Sequence, residues 1–86
     1  MASVAEVKAA IEAAVAQVGE GQAAVRAASE KLSEASQTMA AALEGSGHEL
    51  VGSVQGALTQ ASTELEDCLA ATLTAVEQAQ TYAAAL

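Results

Sequence analysis

Three features of this 86-residue chain have the side-chain types that chemistry needs: a histidine, a thiol and a knot of carboxylates. His48 is the only histidine and stands between Glu44 and Glu49, residue types that a metal site uses. A metal site would want further nitrogen or sulfur ligands close by, and none is near in the sequence. His48 is therefore read as a solvated residue in the first turn of a second helix. Cys68 is the only cysteine, which excludes an internal disulfide. A nucleophilic thiol needs a positive neighbour to favour thiolate. Glu64, Glu66 and Asp67 surround this one with negative charge, so Cys68 is expected to be a buried, unpaired small hydrophobe. The three acids make the densest acidic cluster and read as a solvated helix face, with a basic partner as the other reading. No paired carboxylates, Ser-His-Asp set, glycine-rich phosphate loop or Cys/His cluster can be picked out. The expectation is a protein that is not an enzyme, with no catalytic, cofactor-binding or metal residues and no cofactor.

Composition limits the remaining classes. The net charge is −8, and Lys8, Arg26 and Lys31 are the only basic residues. Such a surface repels phosphate backbones and anionic lipid, which argues against nucleic acid as a partner. No apolar run approaches the ~20 residues of a membrane-spanning helix, so no membrane insertion is expected. The chain opens without a basic stretch followed by an apolar one, so a cytoplasmic protein, or one exported without a signal peptide, is expected. Alanine supplies 24 residues and there is no Pro, Trp or Phe. Alanine methyls bury little area, so the core is thin, and a small thin-cored chain usually needs a staple or a partner.

The elements follow from periodicity. Val4, Ile11, Val18, Val25, Leu32 and Met39 recur every seven residues without a break. Three places after each come Val7, Ala14, Gly21, Ala28, Ala35 and Ala42. This is a heptad with one large and one small core position, over a helix from about 3 to 44. Val15 and Leu43 widen the stripe on one flank. Ser3-Val4-Ala5-Glu6 has the capping-box pattern, and Ser46-Gly47-His48-Glu49 repeats it. Gly45 sits where a left-handed residue should end the first helix. A turn at 44–47 and a second helix of about 47–85 follow, joined by two or three residues. The second helix carries Leu58, Leu65, Leu69 and Val76, with spacing that drifts from sevens towards elevens. Arg26, Glu30 and Glu34 are placed to form an i, i+4 ladder. Gly19 and Gly21 lie mid-helix, as a soft spot or a close helix contact. Gly52 and Gly56 form a small-xxx-small face.

The two halves also resemble each other. Shifted by 43 residues, 13 of 43 positions are identical, and the ends match best: Gln37-Thr38-Met39-Ala40-Ala41-Ala42-Leu43 against Gln80-Thr81-Tyr82-Ala83-Ala84-Ala85-Leu86. Two equal helical units in tandem most simply make an antiparallel hairpin, a single all-α domain spanning 1–86. With two helices packed face to face, Val15, Leu43, Leu50 and Leu73 would stay partly wet. These four are the candidate partner interface, and a second hairpin covering them would complete a four-helix bundle.

The acidic hairpin and its Leu43-Glu44-Gly45-Ser46-Gly47 turn resemble the WXG superfamily of type VII secretion substrates and partners. They are also similar to alanine-rich helical modules that accompany polymorphic toxins. The Trp-x-Gly that defines the superfamily is absent: Leu50-Val51-Gly52 and Ser46-Gly47 stand nearest. Tyr82 is followed by three alanines and Leu86, where the family's C-terminal motif wants an acid four residues on. The resemblance implies a four-helix assembly of two hairpins, as a homo-oligomer or as a heterodimer with a related hairpin. The functional expectation is a protein-binding partner, adaptor or substrate in type VII-type or toxin secretion. The alternative is a purely structural, self-assembling hairpin with no export role.

Overall fold

A computed structural model describes residues 2–86. It is an all-helical hairpin of two long helices, α1 (Val4–Ala42) and α2 (Leu50–Ala85). The rod is 64 Å long, with cross-sections of 18 and 15 Å. Its radius of gyration is 19.4 Å, against about 12 Å for a compact chain of this length.

Local signals set the ends of the helices. Ser3 caps α1: its hydroxyl accepts the Glu6 amide at 3.1 Å, one half of the capping box. At the other end Gly45 has φ +78°, the one positive φ among the described residues. It stands in the turn closed by the Ser46 amide on the Leu43 carbonyl at 3.0 Å, a conformation that costs a side-chain-bearing residue energy.

The start of α2 departs from expectation. The helix begins at Leu50, three residues later than the second Ser-x-x-Glu pattern implies, so the connection runs from 43 to 49. Ser46 does not cap it. Its hydroxyl accepts the His48 amide at 3.3 Å and tightens the turn. The cap comes from His48, whose Nδ1 accepts the Leu50 amide at 3.1 Å while its carbonyl accepts the Val51 amide at 3.1 Å. The imidazole thus lies just before the helix and satisfies one of its open N–H groups.

The seam between the helices also corrects the heptad reading. In α1 the half-buried residues are Val7, the large stripe from Ile11 to Leu32, and the row four places after it, Val15, Gln22, Ser29 and Ser36, which half-buried Leu43 continues just past the helix. The row three places after, from Ala14 to Ala42, is exposed. On α2 the half-buried positions include a four-three alternation from Val51 to Ala83, with Val54 and Ala61 half-buried beside it. The periodicity continues through Gln55, Ser62 and Thr72, which an apolar count passes over. Hydrogen bonds across the seam explain how polar residues are accommodated there. Gln22 Nε2 donates to Thr72 Oγ1 at 3.0 Å, and Ser36 Oγ donates to Gln55 Oε1 at 3.2 Å.

None of the four internal helix glycines is a close-packing point. A methyl group added at Gly19, Gly21, Gly52 or Gly56 would meet nothing within 4 Å. Their role as helix contacts is excluded within the hairpin, and α1 runs unbroken through Gly19 and Gly21. Glu34 is engaged by Lys31 at 3.2 Å rather than by an Arg26 ladder.

Candidate functional site

The side chains that invited chemical readings do not converge. Among the described residues no group of three His, Cys, Asp or Glu side chains is placed to hold a metal ion. Glu64 accepts a hydrogen bond from Gln60 at 3.2 Å on the exposed surface. No described helix is long and apolar enough to cross a membrane. Cys68 is free and exposed, contrary to the expected burial. The cause is rotational: Cys68 lies three places after Leu65, on the flank of the seam, whereas its repeat counterpart Val25 lies in it. Relative to the 43-residue repeat, the packing face of α2 is turned by ~50°, half of the 100° between successive helical residues.

What the fold does provide is a surface. At 100° per residue, positions three and six places after each stripe residue fall on one side of the seam in both helices. Because the helices run in opposite directions, these two sets share a single face of the rod. The open groove on it is lined by Ala28, Lys31, Leu32, Ala61, Glu64 and Leu65. Above and below, the face is mainly alanine, with Gly21 and Cys68 among the small residues. Lys31 and Glu64 are the only charged residues among all these positions. Glu34, paired with Lys31 at 3.2 Å, lines the adjoining groove with Ala35, Thr38 and Ala42, and most of the chain's acidic residues lie elsewhere.

The four residues expected to form the partner interface are not brought together. Val15 and Leu43 are half-buried in the seam against α2. Leu50 and Leu73 are exposed, at 60% and 53%, but on opposite sides of the rod. Leu50 borders the alanine face, while Leu73 is one place after Thr72, on the polar side. Tyr82, 57% exposed, lies on the alanine face near the open end of the hairpin. Sequence reasoning placed the small row inside the seam. The signal pointing outwards was the row Gln22, Ser29, Ser36, whose polar groups needed partners that Thr72 and Gln55 supply.

No side chain among the described residues is buried. The hairpin exposes 6100 Å², where a compact monomer of 8.5 kDa exposes about 4,700 Å². The excess, about 1,400 Å², is larger than the ~800 Å² that one partner contributes to a standard interface. No family model matches this chain, and no curated protein or solved structure is significantly similar to it.

Proposed function

We propose that the protein is a non-enzymatic helical interaction module, whose working form is a multi-helix assembly built over the alanine face. The observation that carries this reading is the absence of any buried side chain in the lone hairpin. Ile11, Val18, Val25 and Leu32, with Leu58 and Leu65 opposite, are only half-buried. They border both the seam and the alanine face. A helical partner laid on that face completes their burial, and the small residues allow it to approach towards the lower end of the usual ~8–10 Å spacing. Alanine then sets distance and the branched stripe supplies the energy.

Thermal unfolding followed by circular dichroism across a hundredfold range of concentration tests the reading. Association raises the midpoint with concentration by mass action. Cys68 gives a second readout, because it lies on the face: thiol labelling is rapid in dilute solution and slows as the assembly forms. A monomer by sedimentation equilibrium, with a concentration-independent midpoint and unchanging Cys68 labelling, refutes it. Within this reading we assign the module to type VII-type or toxin secretion, as partner, adaptor or substrate. That assignment is supported by the hairpin form with its turn near mid-chain. Its test is whether the tagged chain, or a protein that co-purifies with it, reaches the medium only when the secretion ATPase is intact.

A further inference from the structure

We infer that the turn of the hairpin is an acid-sensitive latch, in which His48 holds the first turn of α2 while its imidazole is neutral and releases it on protonation. The inference rests on the hairpin alone and does not depend on the proposed assembly. His48 is tied at three points. Its amide donates to Ser46 Oγ at 3.3 Å, its Nδ1 accepts the Leu50 amide at 3.1 Å, and its carbonyl accepts the Val51 amide at 3.1 Å. The middle bond fixes the state of the ring. A backbone N–H can only donate, so Nδ1 must keep its lone pair, and the ring must be neutral with its proton on Nε2. The common cap residues serine, threonine and asparagine do not titrate. An imidazole does, at about pH 6.5 in a free chain.

Protonation acts on this cap in two ways. Both nitrogens of an imidazolium are donors, so turning the ring over does not restore an acceptor. The added positive charge also stands at the start of α2, where the open N–H groups already carry partial positive charge. Nothing nearby offsets these effects. α2 has no acidic residue in its first turn, and Glu49 makes no capping bond of its own. The groove in which His48 sits is lined otherwise by Met39, Leu43, Ser46, Leu50, Val51 and Val54, so neither helix brings a charged side chain to it. The carboxylates closest in sequence, Glu44 and Glu49, belong to the turn, and among the described residues neither forms an ion pair with the ring. The cap is therefore present above the imidazole range and is lost as the pH falls through it. The Leu50 amide then opens to water, while the backbone bond from Val51 to His48 remains. Leu50 borders the alanine face, so the latch acts at the edge of that face.

Nuclear magnetic resonance on the full chain tests the latch, because His48 is the only histidine and its ring signals are unambiguous. Solvent exchange of the Leu50 amide is measured by magnetisation transfer between about pH 8 and about pH 5.5, a window in which glutamates, titrating near ~4.3, stay ionised. Each rate is divided by the intrinsic rate of an unfolded chain at the same pH. Protection of Leu50 should fall roughly fivefold across the window, the equivalent of about 1 kcal/mol, with the same midpoint as the His48 ring signals. Two variants separate the latch from a general effect of acid. In His48→Asn the asparagine Oδ1 takes the place of Nδ1 and does not titrate, so Leu50 should stay protected throughout. In His48→Ala it should be unprotected throughout. A parent chain with equal Leu50 protection at both ends of the window overturns the inference. So does a His48→Asn chain that loses protection as the parent does, or a His48→Ala chain that keeps it.

Discussion

Replacing Gln55 with leucine should stabilise the hairpin. Gln55 is half-buried in the seam, and its Oε1 accepts from Ser36 at 3.2 Å. Its Nε2 is buried without a hydrogen-bond partner. Turning the amide over exchanges the two ends and leaves one unpaired either way, because the Ser36 hydroxyl is a single partner that can donate or accept. A buried polar group left unpaired costs about 1–3 kcal/mol, whereas the bond that Gln55 makes contributes only about 0.5–1.5 kcal/mol. A leucine at a half-buried position adds about 1 kcal/mol of apolar burial, half of the full value. Ser36 does not become a new orphan, since a helical serine can donate to its own i−4 carbonyl. The net gain is about 1–2 kcal/mol, or a rise of about 5–10 °C in midpoint for a domain of this size.

The assay is urea unfolding at one fixed protein concentration, followed by circular dichroism. Gln55 lies on the side of the seam away from the alanine face, so association is not disturbed and the shift reports on the seam itself. Ser36→Ala is the companion: it removes the bond while keeping the amide, and should destabilise by about 1 kcal/mol. A Gln55→Leu chain that is less stable than the parent would refute the reasoning. It would mean that the amide is fully satisfied and that the Gln55–Ser36 pair outweighs an apolar contact at this position.

Other outcomes follow from the same geometry. His48→Ala removes the acceptor for the Leu50 amide; it should cost about 1 kcal/mol and speed hydrogen exchange at Leu50 and Val51 while leaving the middle of α2 unchanged. Gly19→Ala meets open space and should raise stability by about 0.8–1 kcal/mol in urea unfolding; a loss would reveal a contact at that position. Leu50→Ser and Leu73→Ser should behave differently despite similar exposure. The first borders the alanine face and should weaken association in sedimentation equilibrium; the second, on the polar side, should leave it unchanged.

Two helices, the capping of α1 by Ser3 and the left-handed Gly45 were legible in the sequence because each depends on a few adjacent residues. The rotation of the helices about their own axes was not. In α1 the large stripe admits two seams, one with the alanine row three places on and one with the row four places on. A hydrophobicity count favours alanine over Gln22, Ser29 and Ser36. The choice depends on α2, where Thr72 and Gln55 supply hydrogen-bond partners for two of those polar residues. That is pairwise information across 50 and 19 residues of chain, and no local window contains it. The exposure of Cys68 followed from the same rotation. The cap of α2 was missed for a different reason: Ser46 and Glu49 matched a known pattern, while an imidazole two residues before the first helical amide matched none.

The choice of seam has an energetic consequence. By turning its polar row inwards, the hairpin gives up the apolar contact it could have made between its own helices. Hydrogen bonds such as Gln22–Thr72 contribute about 0.5–1.5 kcal/mol each, less than the ~1.5–3 kcal/mol of a fully buried Val or Leu. A chain optimised to stand alone would place the branched stripe at the centre of the seam and leave serine and glutamine outside. Here the stripe lies between the seam and the alanine face, half-covered by the first and open to the second. The polar bonds have a compensating use: they fix the register, because a slip of one residue would leave Gln22, Ser36 and Gln55 unpaired. A fixed register keeps the α1 and α2 sides of the alanine face in one relative position. In the proposed assembly, stability is deferred to the docked state, while the shape of the alanine face is set within the single chain.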